Sequence, residues 1–335
     1  MTQSRQSQVS LSDTPYYHCI SRCVRRAYLC GKDKYTEKSF EHRRQWVVER
    51  MHFLASVFNI DICAYAIMSN HYHLVLHVDE GLNERLSAQE VCKRWSQLYV
   101  KPVLVERWQS EQAISEAENK AALAIIEDWR GRLADISWFM RCLNEFIARK
   151  ANKEDECSGR FWEGRFKSQA LLDEDALLTC MAYVDLNPVR AKMATSVETS
   201  EYTSAYERIH CVAQSKEKPL EYTFNKKALL GFVGDVSEQE TEQNTQGIPF
   251  SLLDYIELID WSGRIIREDK RGAILGSRPR LLAILGLDDD AWLSLANSFG
   301  KVYHGAVGSL EALAAYASHT GKRWIASKNQ LRRPH

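Results

Sequence analysis

An α+β fold, a ferredoxin-like antiparallel sheet packed with helices, is what the order of periodicities along this 335-residue chain predicts. Three observations carry that reading. Short alternating apolar and polar runs read as strands, and longer runs with apolar residues at three- and four-residue steps read as amphipathic helices. Their order is strand, helix, strand, strand, helix, strand, helix, which is the ferredoxin-like unit with one helix added. Beyond it the sequence predicts a small, mostly helical C-terminal module.

Each element has its own signal. PYYHCIS reads as a first strand over residues 16–21, running into the basic cluster Arg22, Arg25 and Arg26. Between about residues 39 and 59, Trp46, Val47, Met51, Leu54, Val57 and Phe58 recur at helical spacing. Residues 60–68 and 71–78 are strands separated by Ser69 and Asn70 alone, which fits a tight hairpin. Residues 88–134 turn helical and polar and are expected to form an inserted segment. Helix resumes behind Asp135, a suitable N-cap, and runs through Phe139, Leu143 and Ile147 to about Asn152. A strand is expected over residues 160–172. The last core helix opens on Asp173, Glu174 and Asp175, which suit the positive end of the helix dipole, and should stop at Pro188.

Past Tyr206 the apolar density falls, and GDVSEQETEQNTQG (234–247) reads as a linker. The expected organisation is a first domain over residues 1–210, a linker over 211–247 and a helical module over 248–335. A formal net charge of zero argues against a protein that simply coats nucleic acid, since phosphates are neutralised by Lys and Arg. The charge is unevenly spread, with ten basic and five acidic side chains in residues 1–50. The polar N-terminus and the lack of a long apolar run lead us to expect a cytoplasmic protein with no membrane segment. Nine scattered cysteines without a CxxC pair are expected to be reduced thiols.

Three groups of residues could carry chemistry. His71 and His73 are two apart on a strand, so they point to one face with Cα atoms about 6.6 Å apart, and two imidazoles so placed can hold one divalent metal. They would equally serve as half-buried strand residues. His77 shares that face but lies too far along to join them, and reads as structural. Tyr183 and Asn187 stand at i and i+4 on the last helix, with the Asn187 amide oxygen at the helix end, free to reach a metal. A single helical tyrosine more often packs. In RFWEGRFK (160–167), Arg160, Arg165 and Lys167 interleave with aromatic rings, offering cations to phosphates and flat faces to unpaired bases.

At these residues the sequence resembles the single-tyrosine HUH transposases of insertion-sequence type, and within them the REP-associated tyrosine transposases. The matching segments are AYAIMSNHYHLVL (64–76), GRFWEGRFKS (159–168) and LLTCMAYVDLNPVRAKM (177–193), with a weaker likeness over YYHCISRCVRRAYLCGKD (16–33). Together they span roughly the first 200 residues, and the later segment has no counterpart in the resemblance. It implies that His71 and His73 are metal ligands and that Tyr183 is a nucleophile, activated by a nearby cation. Asn187 stands where the wider group carries a third polar ligand, often Gln. The implied metal is Mg²⁺ or Mn²⁺, although imidazole suits transition metals too. The implied reaction cleaves and rejoins single-stranded DNA bearing a hairpin, such as a repetitive extragenic palindrome, through a 5′-phosphotyrosine and without a nucleotide cofactor. Arg22, Arg25, Arg26, Arg160, Arg165, Lys167 and Arg190 are the implied phosphate contacts, in a monomer or homodimer. Two other readings stay open: a non-catalytic regulator that binds palindromic DNA, and a metal-dependent phosphoesterase.

Overall fold

The computed structural model describes residues 9–24, 29–32, 37–112, 115–214, 229–234, 247–267, 278–322, 325–326 and 329–331. Arg25 and Arg26, and residues 215–228 and 235–246 of the expected linker, lie outside them.

Strands β1 (Tyr16–Arg22), β2 (Ile60–Ile67), β3 (His71–Val78), β4 (Lys167–Leu171) and β5 (Ala306–Val307) form one sheet in the order β2-β3-β1-β4-β5. The first four pair antiparallel, which is the ferredoxin-like arrangement, and β5 adds to β4 in parallel. The β2–β3 hairpin forms as expected, with Met68 N–H donating to the His71 carbonyl across Ser69 and Asn70. The period of two then sorts β3 onto two faces. Tyr72, Leu74, Leu76 and Val78 bury against α1 (His42–Val57) and α6 (Ile136–Glu154), where Val47, Met51, Leu54, Phe139 and Leu143 meet them. Each such buried side chain contributes about 1.5–3 kcal/mol. Val75 belongs to a second cluster, with Leu177, Leu178 and Met181 of α7 (Glu174–Asp185).

After β3 comes α2 (Glu80–Arg85), and the inserted segment forms α3 (Ala88–Trp95), α4 (Val103–Gln109) and α5 (Glu116–Leu133). Reciprocal Ser–Glu caps, Ser87 with Glu90 and Ser115 with Glu118, start two of these helices. Val91, Trp95, Ile126 and Trp129 bury them in the first cluster.

Two expected boundaries shift. The strand predicted over 160–172 is broken: Trp162 makes an isolated bridge to Cys23, and regular pairing starts only at Lys167. The Trp162 indole donates to the Asn144 carbonyl of α6 at 2.9 Å and meets Tyr72 edge-on, which pulls it out of the pleat. Nor does Pro188 end the helical run. After α7 a one-turn α8 (Asn187–Arg190) carries Pro188 in its first turn, where the missing N–H costs nothing.

The C-terminal part is helical, with α9 (Ser204–Gln214) preceding it and α10 (Leu252–Ile266), α11 (Arg280–Ile284), α12 (Asp289–Val302) and α13 (Leu310–His319) within it. Tyr255, Leu258, Leu295, Ala296 and Phe299 lie in the second cluster with α7. Buried Asp185 joins three helices, accepting from Ser204 Oγ at 2.6 Å, Ala205 N at 2.9 Å and Tyr255 Oη at 2.6 Å. Among the described residues no helix is long and apolar enough to cross a membrane.

Candidate active site

A row of polar side chains crosses the sheet beneath α7. Gln169 of β4 sits opposite His18 of β1 in the register, and His18 reaches diagonally to His73 of β3. Gln169 Oε1 lies 3.2 Å from His18 Nδ1, and His18 Nε2 lies 2.9 Å from His73 Nδ1. An amide oxygen can only accept, so His18 donates from Nδ1 and accepts at Nε2. His73 must then donate from Nδ1, which leaves its Nε2 as a bare lone pair. That Nε2 is buried and has no hydrogen-bond partner. His71 is set the same way, its Nδ1 lying 2.7 Å from Asn70 Oδ1. The two rings stand 4.9 Å apart between centroids.

Burial keeps these imidazoles neutral. It holds His18 down at about 4, partly opposed by the bond to Gln169, and holds His71 at about 4 with help from the Arg22 charge. His73 lies well below its ordinary value, first through burial and then through His18, His71 and Arg190. A neutral imidazole with a free Nε2 is the form that ligates a metal. Among the described residues no group of three or more His, Cys, Asp or Glu side chains is disposed to hold a metal ion. The buried, unpartnered Nε2 of His73 fits a ligand's role, with His71 beside it.

The Tyr183 ring meets His73 and His18, 5.7 Å from the His73 ring and 6.2 Å from that of His18, both edge-on. Arg190 stacks on the Tyr183 ring with the guanidinium carbon 3.9 Å from the ring centre. The same guanidinium donates to Asn187 Oδ1 at 2.6 Å, to the Tyr183 carbonyl at 3.0 Å, and to the Ala296 and Asn297 carbonyls of α12 at 2.9 Å each. The short α8 turn makes this possible by folding Arg190 back onto the end of α7. Asn187 is buried, its oxygen held by Arg190 and its Nδ2 unpartnered. Helix α12 closes the far side: Phe299 lies 5.7 Å from Tyr183, and Gly300 presses so close that a methyl there would run into the phenol oxygen.

The structure thus brings Tyr183, His71, His73, Asn187 and Arg190 together. Arg22 stands opposite His71 in the register, with an exposed side chain 3.5 Å from Glu163. Arg160, Arg165 and Lys167 are exposed on the segment leading into β4. His77 pairs with Asp61 at 3.2 Å, as a structural residue would. Sequence reasoning missed His18 and Gln169, and with them Phe299 and Gly300. Alternation along PYYHCIS puts His18 on one face with Tyr16 and Ile20, and that was the available signal.

No family model matches the sequence, and no curated protein matches it. Among solved structures the chain is similar to a REP-associated tyrosine transposase bound to a REP hairpin, at 9% identity over 69% of this chain and 100% of that one, with a TM-score of 0.38. So distant a likeness assigns no role to any residue here.

Proposed function

We propose that this protein cleaves and rejoins single-stranded, hairpin-bearing DNA, with Tyr183 as nucleophile and a divalent metal, Mg²⁺ or Mn²⁺, on Nε2 of His71 and His73. The observation that supports this most is the Tyr183 ring 5.7 Å from the imidazole of His73, whose Nε2 is buried and unpartnered. An unpaired buried polar atom costs about 1–3 kcal/mol, and sites that retain one have commonly kept it for a ligand. When bound, the metal would polarise a scissile phosphate and offset its growing charge. The Tyr183 phenol oxygen attacks phosphorus, losing its proton to water, while the P–O3′ bond breaks and the departing oxygen takes a proton up. The products are a 5′-phosphotyrosine and a free 3′-OH. The ester keeps the bond energy, so attack by a second 3′-OH rejoins the strand without a nucleotide cofactor. Arg190 holds the ring in place, and Asn187 holds Arg190. Because Gly300 lies against the phenol, α12 or the ring moves to admit the phosphate. Exposed Arg22, Arg160, Arg165 and Lys167 are the phosphate contacts in this reading.

A labelled hairpin oligonucleotide incubated with Mg²⁺ and run on a denaturing gel tests it. Wild type should give a covalent adduct, and Tyr183→Phe should bind the hairpin yet give none. Binding without adduct under any metal would instead indicate a palindrome-binding regulator. Cleavage that persists in Tyr183→Phe with no attached protein would indicate a phosphoesterase.

A further inference from the structure

On the other side of the sheet from the imidazoles, α1, α6 and the segment after α3 enclose a groove of about 730 Å³. Its charge is unlike that of the chain. Basic and acidic residues balance at 44 each over the sequence, yet the groove is lined by Arg50, Arg141, Arg149, Lys150 and Lys153 against one carboxylate, Glu145. Five cations less one anion leave four positive charges, and Glu145 is already paired with Arg149 and, at 3.7 Å, with Arg141. Like charges so concentrated repel one another and create a potential that attracts a polyanion.

The second observation is aromatic. Phe146 is 37% exposed and Tyr99 36% exposed, both beside these cations. The Arg50 guanidinium lies 4.6 Å and the Lys150 ammonium 5.8 Å from the Phe146 ring centre, so the ring stays at the surface between charges. The Arg50 Nε is buried without a partner. Inorganic anions and acidic peptides use the cations and leave the rings idle, and a duplex hides its base faces. A single strand offers phosphates and open base faces together.

We infer that the α1–α6 groove binds single-stranded nucleic acid, its cations gripping phosphates while bases stack on Phe146 and Tyr99. The groove is separate from Tyr183 and does not depend on its chemistry. The test uses the full chain carrying Tyr183→Phe, so that no adduct forms, and follows fluorescence anisotropy of a labelled oligothymidylate and of a duplex of equal length across a salt series. Replacing Arg149, Lys150 and Lys153 together with glutamine, all at exposed positions, should weaken oligothymidylate binding at least about tenfold at low salt. It should also flatten the slope of log affinity against log salt by about 2, at about 0.7 per cation lost. Phe146→Ala should weaken single-strand binding at least about fivefold and leave the slope unchanged. Circular dichroism and the urea midpoint establish that each variant is folded. Unchanged affinity and slope in the triple variant overturn the inference. Equal losses for duplex and single strand, with Phe146→Ala silent, overturn it in favour of an acidic protein or other general polyanion. An adduct assay with Tyr183 restored separates the two ideas: a missing adduct in otherwise wild-type protein undoes the proposed reaction and leaves the groove result standing.

Discussion

Neighbouring residues of β3 live in opposite worlds. Tyr72, Leu74, Leu76 and Val78 face an apolar layer whose polar groups beside Tyr72 are paired: the Tyr72 hydroxyl donates to Asn144 at 2.7 Å, and the Asn144 amide donates to Ser21 at 3.0 Å. His73, one residue away, faces a layer where His73 Nε2, Gln169 Nε2, Asn187 Nδ2 and Arg190 Nε are all buried without partners. Folding alone favours the first arrangement and is penalised by the second. The contrast is what makes the imidazole side the candidate active site. Three measurements can break or sharpen it.

The largest difference should come from removing one residue on each side. Leu76→Ala leaves a cavity in the apolar layer and should lower unfolding free energy by about 2–5 kcal/mol. His73→Ala removes one unsatisfied atom but leaves His18 Nε2 without its donor, and should cost about 1–3 kcal/mol, while abolishing Mn²⁺ binding read by electron paramagnetic resonance. Equal losses of stability would make the two faces equally structural. Next in size is His18→Ala. Its bond is what leaves the His73 lone pair bare, so its loss should weaken Mn²⁺ binding about 10–100-fold with both metal ligands intact. An unchanged affinity would reduce the Gln169–His18–His73 row to packing.

The smallest effect concerns acid. Burial raises the pKa of Asp185 above its ordinary 3.8, against the pull of its three donors. Over the window between those two values the folded protein keeps a proton that the unfolded chain has lost. Stability should therefore fall as pH rises through the ordinary carboxylate range to the raised value, and stay lower above it. Urea midpoints across that window should show this decline in wild type and a shallower one in Asp185→Asn; parallel curves would remove Asp185 as the cause.

The elements that were legible in the sequence are those set by local period. The β2–β3 hairpin, the shared face of His71 and His73, the cap at Asp135 and the acidic start of α7 follow from spacing within a few residues. Tyr183 and Asn187 do lie close, but not on one helix: α7 ends at Asp185, Asn187 opens α8, and its oxygen is bonded to Arg190 rather than free for a metal; the reason they meet is not visible in the spacing. It depends on Arg190 turning back through α8, whose first turn carries the proline that the sequence predicts as a stop. His18 escaped because the strand register that aims it at His73 is a long-range choice. Helix α12 escaped for the same reason: nothing in a helical pattern near residue 300 says which surface it will cover. The broken strand at Trp162 records an indole anchored on α6, a tertiary preference that alternation cannot carry.

The contact between Gly300 and the phenol ties together two positions far apart in the chain. Any side chain at 300 must displace the ring at 183, so neither site is free to drift alone. Across natural variants of this sequence, glycine at 300 should accompany an aromatic at 183, and a larger residue should become tolerable only where that ring has been lost. A substitution in the tail would then be inherited as a lesion of the phenol, and mutational surveys confined to the sheet would overlook it.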